Sequence, residues 1–149
     1  MRRSESVSIL FVDDAPGQAQ TWADGLELRG MQVKIAAGVA EARKEFGRRP
    51  FPYRLVVLDL WMPGAPDLQS DQNTQGFQTG ALLLREFRGA FGRQEPVVIL
   101  SNVLEKLDRT LLEGAENVEL CDKGETRPGD LARIILRMLE SGPSPAPVP

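Results

Sequence analysis

Residues 55–64 have the sequence LVVLDLWMPG, in which four apolar residues are followed directly by Asp59. Apolar side chains at every position, rather than at every second one, indicate a strand with both faces buried. Strands of this kind occur in parallel sheets that helices cover on both sides. The stretch therefore predicts a central strand of an α/β domain, with a carboxylate at the strand's end.

Short apolar segments alternate with amphipathic ones along the whole chain. The predicted strands are Val7–Val12, Met31–Ala36, Leu55–Leu58, Pro96–Leu100 and Val118–Cys121. The predicted helices are Gln18–Leu28, Val39–Phe46, Phe77–Phe91, Leu104–Leu112 and Pro128–Leu139. Five consecutive βα units predict an open, doubly wound parallel sheet with helices on both faces.

Composition narrows the class of protein. The 149 residues, 42% of them apolar, fit one domain with a substantial core. A net charge of −3 with scattered basic residues argues against direct nucleic-acid binding. The single cysteine, Cys121, excludes an intrachain disulfide, and no apolar run suits a membrane span or signal peptide. We therefore expect a cytoplasmic protein without a membrane association.

Two segments differ from the repeating pattern. Residues 63–76, PGAPDLQSDQNTQG, form a long polar connection after the Asp59 strand, which suits either a variable surface loop or a functional lid. Residues 141–149, SGPSPAPVP, contain four prolines in nine residues. This composition predicts an extended tail or linker after a domain that covers residues 1–140.

Polar side chains follow four of the predicted strands. They are Asp13 and Asp14, then Asp59, then Ser101 and Asn102, then Asp122 and Lys123. Ligands of open α/β sheets bind at the carboxyl ends of the strands, so we expect these groups to converge. Clustered carboxylates raise one another's pKa or recruit a cation, and oxygen ligands suit Mg²⁺. The sequence contains no histidine, which excludes His-based metal sites and Ser–His triads.

A phosphoryl acceptor accounts for this set of residue types. A carboxylate beside Mg²⁺ can attack phosphorus and form an aspartyl phosphate. Lys123 would neutralise one phosphoryl oxygen, and Ser101 would donate a hydrogen bond to another. Each residue taken alone also has an ordinary role: helix N-cap for the Asp13–Asp14 pair, turn or surface residue for the others. Trp61 suits a packing residue and an exposed partner contact equally.

Four motifs in order resemble the receiver domains of two-component response regulators, the CheY-like superfamily. They are ILFVDD (9–14), VVLDLWMPG (56–64), VILSN (98–102) and LCDKG (120–124), and the resemblance spans about residues 6–140. It implies a flavodoxin-like, five-stranded parallel sheet in strand order 2-1-3-4-5 with five helices.

The resemblance also implies a role for each matching residue. Asp59 corresponds to the phosphoacceptor and Ser101 to the switch hydroxyl, while Lys123 corresponds to the phosphate-binding lysine. The Mg²⁺ ligands would be Asp13, Asp14, Asp59 and the backbone carbonyl of Trp61. A histidine kinase or phosphotransfer protein would donate the phosphoryl group, and a downstream output protein or domain would respond. A homodimer is left open.

Four positions depart from the family's pattern. Leu120 stands where an aromatic switch residue is usual, Gly124 replaces a proline, and Asn102 replaces a small residue. The fourth departure is the long 63–76 segment. These departures keep open a second hypothesis, a receiver-like scaffold that binds partners without phosphorylation. A third, an aspartate-nucleophile phosphatase, would need an aspartate where Trp61 stands, so we expect no enzyme of that kind.

Overall fold

The computed structural model describes residues 6–141. Its five strands are Ser8–Val12 (β1), Gln32–Ala36 (β2), Leu55–Leu58 (β3), Val97–Ser101 (β4) and Val118–Asp122 (β5). All neighbouring strands are parallel, and they lie in the order β2-β1-β3-β4-β5. The predicted α/β class, parallel sheet and strand order are therefore confirmed.

The described residues contain four α-helices. They are Pro16–Glu27 (α1), Val39–Phe46 (α2), Thr79–Arg88 (α3) and Pro128–Ser141 (α4). Pro16 and Pro128 each occupy the first helical position. A backbone N–H there would have no partner within the helix, so proline loses nothing by lacking one. Among residues 6–141, no helix combines the length and apolar character that crossing a membrane requires. Of the predicted tail, residues 142–149 lie outside the described residues.

The core lies on both faces of the sheet. Leu10 and Val12 point to the side covered by α2 and α3, where the rings of Phe46 and Phe87 lie 4.6 Å apart. Alternate residues of the same strands, such as Phe11, point to the side covered by α1 and α4. Burial on both faces explains why β3 is apolar at every position, and why β1 and β4 are apolar except for one terminal serine each.

The prediction of a helix over Leu104–Leu112, and hence of five helices, is wrong. The segment instead forms two 3-10 turns, Leu104–Lys106 and Arg109–Leu112. Between them Leu107 is extended, with ψ 129°. The side chain of Gln78 binds the backbone at this break, and the Asp108 carboxylate accepts a hydrogen bond from the N–H of Thr110 at 3.1 Å. Side-chain bonds to the backbone compete with helix formation, and here they prevail.

Candidate functional site

Three carboxylates converge at the carboxyl edge of the sheet. Oxygen atoms of Asp13, Asp14 and Asp59 all lie within 4.8 Å of one another. The strands explain the convergence, because Val12 of β1 pairs with Leu58 of β3 and both strands end there, directly before Asp13 and Asp59. The structure thus brings together the residues that the sequence pattern selected, while their roles stay predictions.

Hydrogen bonds hold the carboxylate of Asp13 and the backbone of Asp59. Asp13 is fully buried, and its Oδ1 accepts the N–H of Ala15 at 2.8 Å. The N–H of Asp59 donates to the carbonyl of Val12 at 2.9 Å, which ties the end of β3 to β1. Asp14 is exposed, so the cluster has two rigid members and one at the solvent edge.

Lys123 reaches into the cluster from the end of β5. Its Nζ lies 3.2 Å from Asp13 Oδ2 and 3.7 Å from Asp59 Oδ2, with only 7% of the side chain exposed. The backbone N–H of Lys123 donates to the carbonyl of Ser101 at 2.9 Å, which holds the ends of β4 and β5 together. One ammonium therefore faces three carboxylates, a set with an excess of negative charge.

The pKa of Asp59 is raised, mainly because the carboxyl group is buried. Burial raises the pKa of Asp59 from 3.8 to about 7, and the charge of Asp13 adds to the effect while Lys123 opposes it. Burial and the charge of Asp13 likewise raise the pKa of Asp14. A divalent cation would relieve the same repulsion. The oxygen-only donors, with no histidine or cysteine among them, fit a hard ion such as Mg²⁺.

A cavity of about 240 Å³ opens beside Asp59. Its lining includes Asp14, Trp61, Ser101, Asn102 and Lys123. Ser101 is fully buried, and its Oγ accepts the N–H of Val103 at 3.0 Å. The hydroxyl of Ser101 and the ammonium of Lys123 thus border the same space as the carboxylate of Asp59.

Leu120, the divergent position, lies away from this cavity. It pairs with Ile99 of β4 and packs, half-buried, against the core on the α2 and α3 side. Its side chain has no group that could donate to Ser101 or to a phosphoryl oxygen. A hydroxyl–aromatic coupling between positions 101 and 120 therefore has no chemical basis in this chain.

Trp61 is packed on one side and exposed on the other, so the packing interpretation is confirmed and the partner contact stays a prediction. Its ring stacks on Phe77 with centroids 5.5 Å apart, and its Nε1 donates to the carbonyl of Gln75 at 2.9 Å. It nevertheless stays 44% exposed at the mouth of the cavity. Trp61 is thus a packed side chain with an exposed edge at the cavity that Asp59 also lines.

The 63–76 segment is anchored by a residue that the sequence gave no reason to select. Asn73 is fully buried; its Nδ2 donates to Leu68 O at 2.9 Å and to Thr79 Oγ1 at 3.1 Å. Its Oδ1 accepts the N–H of Gln78 at 2.6 Å. Thr79 in turn donates to the carbonyl of Met62 at 3.0 Å. An asparagine within a polar run carries no sign of burial, so only the structure shows this anchor.

Comparisons with known proteins give a match only in structure. No protein-family model matches the chain, and no curated protein matches it. A CheY-like response regulator receiver domain protein from Methanospirillum hungatei is 20% identical over 92% of this chain and 96% of its own, with TM-score 0.65. The Thermotoga maritima response regulator TrrA, solved with Mg²⁺-BeF, is 23% identical over 89% of this chain and 98% of its own, with TM-score 0.66.

A longer protein also matches. NtrX from Brucella abortus, solved in complex with ATP, is 24% identical over 92% of this chain and 28% of its own, with TM-score 0.68. Many of the matching structures are CheY-like response regulator receiver domains that cover most of this chain. The chain therefore has the receiver-domain fold, as its four motifs predicted.

Proposed function

We propose that this protein is a receiver domain that is phosphorylated on Asp59 in a Mg²⁺-dependent reaction and acts as a signalling switch. The observation that carries the proposal is the placement of Asp59. It lies between two further carboxylates and an ammonium, with a cavity in front of it. A histidine kinase or phosphotransfer protein would be the donor, and an output protein or domain in the cytoplasm would be the recipient of the signal.

The side chains divide the chemistry among them. An oxygen of Asp59 attacks phosphorus, an O–P bond forms, and the P–N bond of the donor phosphohistidine breaks, leaving its electron pair on the imidazole. Lys123 offsets negative charge on the phosphoryl oxygens, and Ser101 donates a hydrogen bond to one of them. Asp13, Asp14 and the carbonyl of Trp61 would hold Mg²⁺, which supplies positive charge between the carboxylates and the phosphoryl group.

Acyl-phosphate formation tests the proposal directly. Incubation with acetyl phosphate and Mg²⁺ is expected to increase the intact mass by one phosphoryl group, because the acceptor carboxylate and its charge partners are in place. The Asp59→Ala variant is expected to gain no mass. A matched control, Asp71→Asn, removes an exposed carboxylate from the 63–76 segment and should behave as wild type. Unmodified wild-type protein at saturating donor would refute the proposal.

Mg²⁺ binding can be followed through Trp61, whose ring lies at the mouth of the cavity. We expect Mg²⁺ to change the tryptophan fluorescence of wild type. Asp13→Asn should weaken the apparent affinity by more than about tenfold, because even outer-shell partners of metal ligands are worth 10–100-fold. The Trp61→Phe variant keeps Trp22 and serves as the control for signal origin. An equal response in wild type and Asp13→Asn would exclude this site.

One observation favours a second candidate, a scaffold that binds partners without phosphorylation. Leu120 lacks a polar group and lies away from the cavity, so the usual switch pair is incomplete. The same mass measurement separates the two functions. We propose no enzymatic turnover, because Trp61 occupies the position at which a phosphatase of this chemistry would carry its acid–base aspartate.

A further inference from the structure

The segment Leu104–Leu112 has the pattern of a helix but the structure of two short turns. Leu104, Leu107 and Leu111 are spaced three and four residues apart, which places them on one face of a helix. In the structure Leu107 and Leu111 are already buried against the core. A continuous helix would bury the same face, so the apolar contacts do not by themselves distinguish the two conformations.

Two hydrogen bonds made by the side chain of Gln78 favour the two short turns over a continuous helix. Its Nε2 donates to the carbonyl of Lys106 at 2.6 Å, and its Oε1 accepts the N–H of Asp108 at 2.8 Å. A continuous helix would need both of these backbone groups, because Asp108 N–H would bind Leu104 O and Lys106 O would accept Thr110 N–H. Gln78 therefore occupies the groups that would close the helix across the break.

Gln78 is also connected, through its neighbours, to residues 60–62, which directly follow Asp59. Its own N–H donates to Asn73, and its neighbour Thr79 donates to the carbonyl of Met62. Gly80 donates its N–H to the carbonyl of Leu60 at 2.9 Å. Phe77, which precedes Gln78, stacks on Trp61. The ammonium of Lys106 lies 5.5 Å from the centroid of the Phe77 ring. A displacement of residues 60–62 would therefore reach the bonds that Gln78 makes.

The charge of a phosphoryl group acts in the same direction. Asn102 and Val103, directly before the segment, line the cavity beside Asp59. A continuous helix over 104–112 would begin at this cavity. The N-terminus of a helix is stabilised by nearby negative charge. New negative charge on Asp59 therefore favours the helical form over the broken one.

We propose that residues 104–112 form a two-state element, in which Gln78 is the latch of the broken form and a charged phosphoryl group on Asp59 favours the helix. The inference rests on the proposed function and names the route by which phosphorylation is transmitted. It replaces a coupling through Leu120 with one through the side chain of Gln78. Gln78 acts here as a positioning residue, because it does not touch the acceptor.

Removing the latch is the first test. In Gln78→Ala without beryllofluoride (the unloaded protein), the backbone Cα chemical shifts of Leu107 and Asp108 should move toward helical values. Loss of two partly buried hydrogen bonds should change the ratio of helical to broken forms by about tenfold. The control is Gln94→Ala, which shortens an exposed glutamine. Wild type loaded with beryllofluoride and Mg²⁺ should move the same resonances in the same direction.

A proline at position 109 should favour the broken form, which is the opposite of the effect expected for Gln78→Ala. Arg109 is exposed and begins the second turn, and the preceding Asp108 has ψ 102°, which suits a residue before proline. Arg109→Pro thus fits the broken form, but within a continuous helix it would lose an N–H and clash with the preceding turn. We expect unloaded Arg109→Pro to match wild type and loaded Arg109→Pro to show no helical shift at Leu107.

The outcomes separate the latch from the phosphorylation. Unchanged Leu107 and Asp108 shifts in folded Gln78→Ala, or a wild-type response of loaded Arg109→Pro, would overturn the latch. If Gln78→Ala does not fold, the comparison of Arg109→Pro with wild type still decides. Failure of wild type to gain a phosphoryl group or bind beryllofluoride would overturn the proposed function and the coupling to Asp59. The latch itself would then still be decided by the unloaded variants.

Discussion

Replacing Asp59 with asparagine is expected to stabilise the metal-free protein by about 2–4 kcal/mol near pH 8 and by far less near pH 4. The reason is the cost of keeping the Asp59 carboxylate ionised. Burial and the charge of Asp13 raise its pKa to about 7, although the ammonium of Lys123 lies close by. Asparagine keeps the size of the side chain and removes the charge. Lys123 keeps Asp13 as its partner, so no buried ammonium is left unpaired.

The pH dependence follows from proton binding. An unfolded chain releases the Asp59 proton around pH 3.8, whereas the folded protein holds it up to about pH 7. Between these values the folded state binds more protons, so the free energy of unfolding of wild type falls as the pH rises. Above about pH 7 the loss is complete. Asp59→Asn lacks this fall, and the difference between the two proteins should therefore grow from pH 4 to pH 7.

Urea unfolding in the presence of EDTA at several pH values measures this difference. The Asp71→Asn variant controls for loss of one negative charge at an exposed position and should change stability by no more than about 0.5 kcal/mol. Added Mg²⁺ should stabilise wild type more than Asp59→Asn. Equal stability of wild type and Asp59→Asn near pH 8 would show that the carboxylate is not held at a cost.

The second large effect is expected at Gly80, where α3 meets the backbone of Asp59 and Leu60 directly after β3. A Cβ atom at this position would overlap the carbonyl oxygen of Asp59 and lie 2.8 Å from the Cα of Leu60. Both neighbours are backbone atoms and cannot rotate away. Gly80→Ala should therefore push α3 away from Asp59 and Leu60 and destabilise the protein by about 3 kcal/mol. It should also reduce acyl-phosphate formation, because Asp59 itself is displaced.

A matched glycine provides the control. Gly17 is the second residue of α1, as Gly80 is of α3, and nothing lies within 4 Å of a Cβ built on it. Gly17→Ala should be neutral or stabilising by about 0.5–1 kcal/mol. Urea midpoints of the two variants make the comparison. Similar midpoints for Gly80→Ala and Gly17→Ala would mean that α3 can shift away from Asp59 at little cost.

The sheet and the acidic cluster could be predicted because their signals are local. Strands buried on both faces are apolar at each position. The residues directly after parallel strands lie together at one edge of the sheet. Helix α2 has the predicted bounds, Val39–Phe46, since Gly38 directly precedes its amphipathic pattern and Gly47 directly follows it. The cluster of Asp13, Asp14 and Asp59 needed only strand order and direction.

The break at Leu107 could not be predicted, because its cause lies 29 residues away in the sequence, at Gln78. The local pattern of leucines favours a helix, and a distant side chain overrides it. The burial of Asn73 is hidden for the same reason. Its partners Leu68, Gln78 and Thr79 are ordinary loop and helix residues until the fold brings them around one amide group.

The anchoring of Asn73 has a consequence for how the domain opens. A polar connection of this length ordinarily unfolds locally, at little cost and independently of its neighbours. Here the amide of Asn73 joins the connection to the start of α3, and Thr79 joins α3 to Met62 beside the acceptor. We therefore expect the connection, the start of α3 and residues 60–62 to unfold as one cooperative unit. Their amides should exchange with solvent together, in a single opening event, and ligands that stabilise Asp59 should slow exchange throughout that unit.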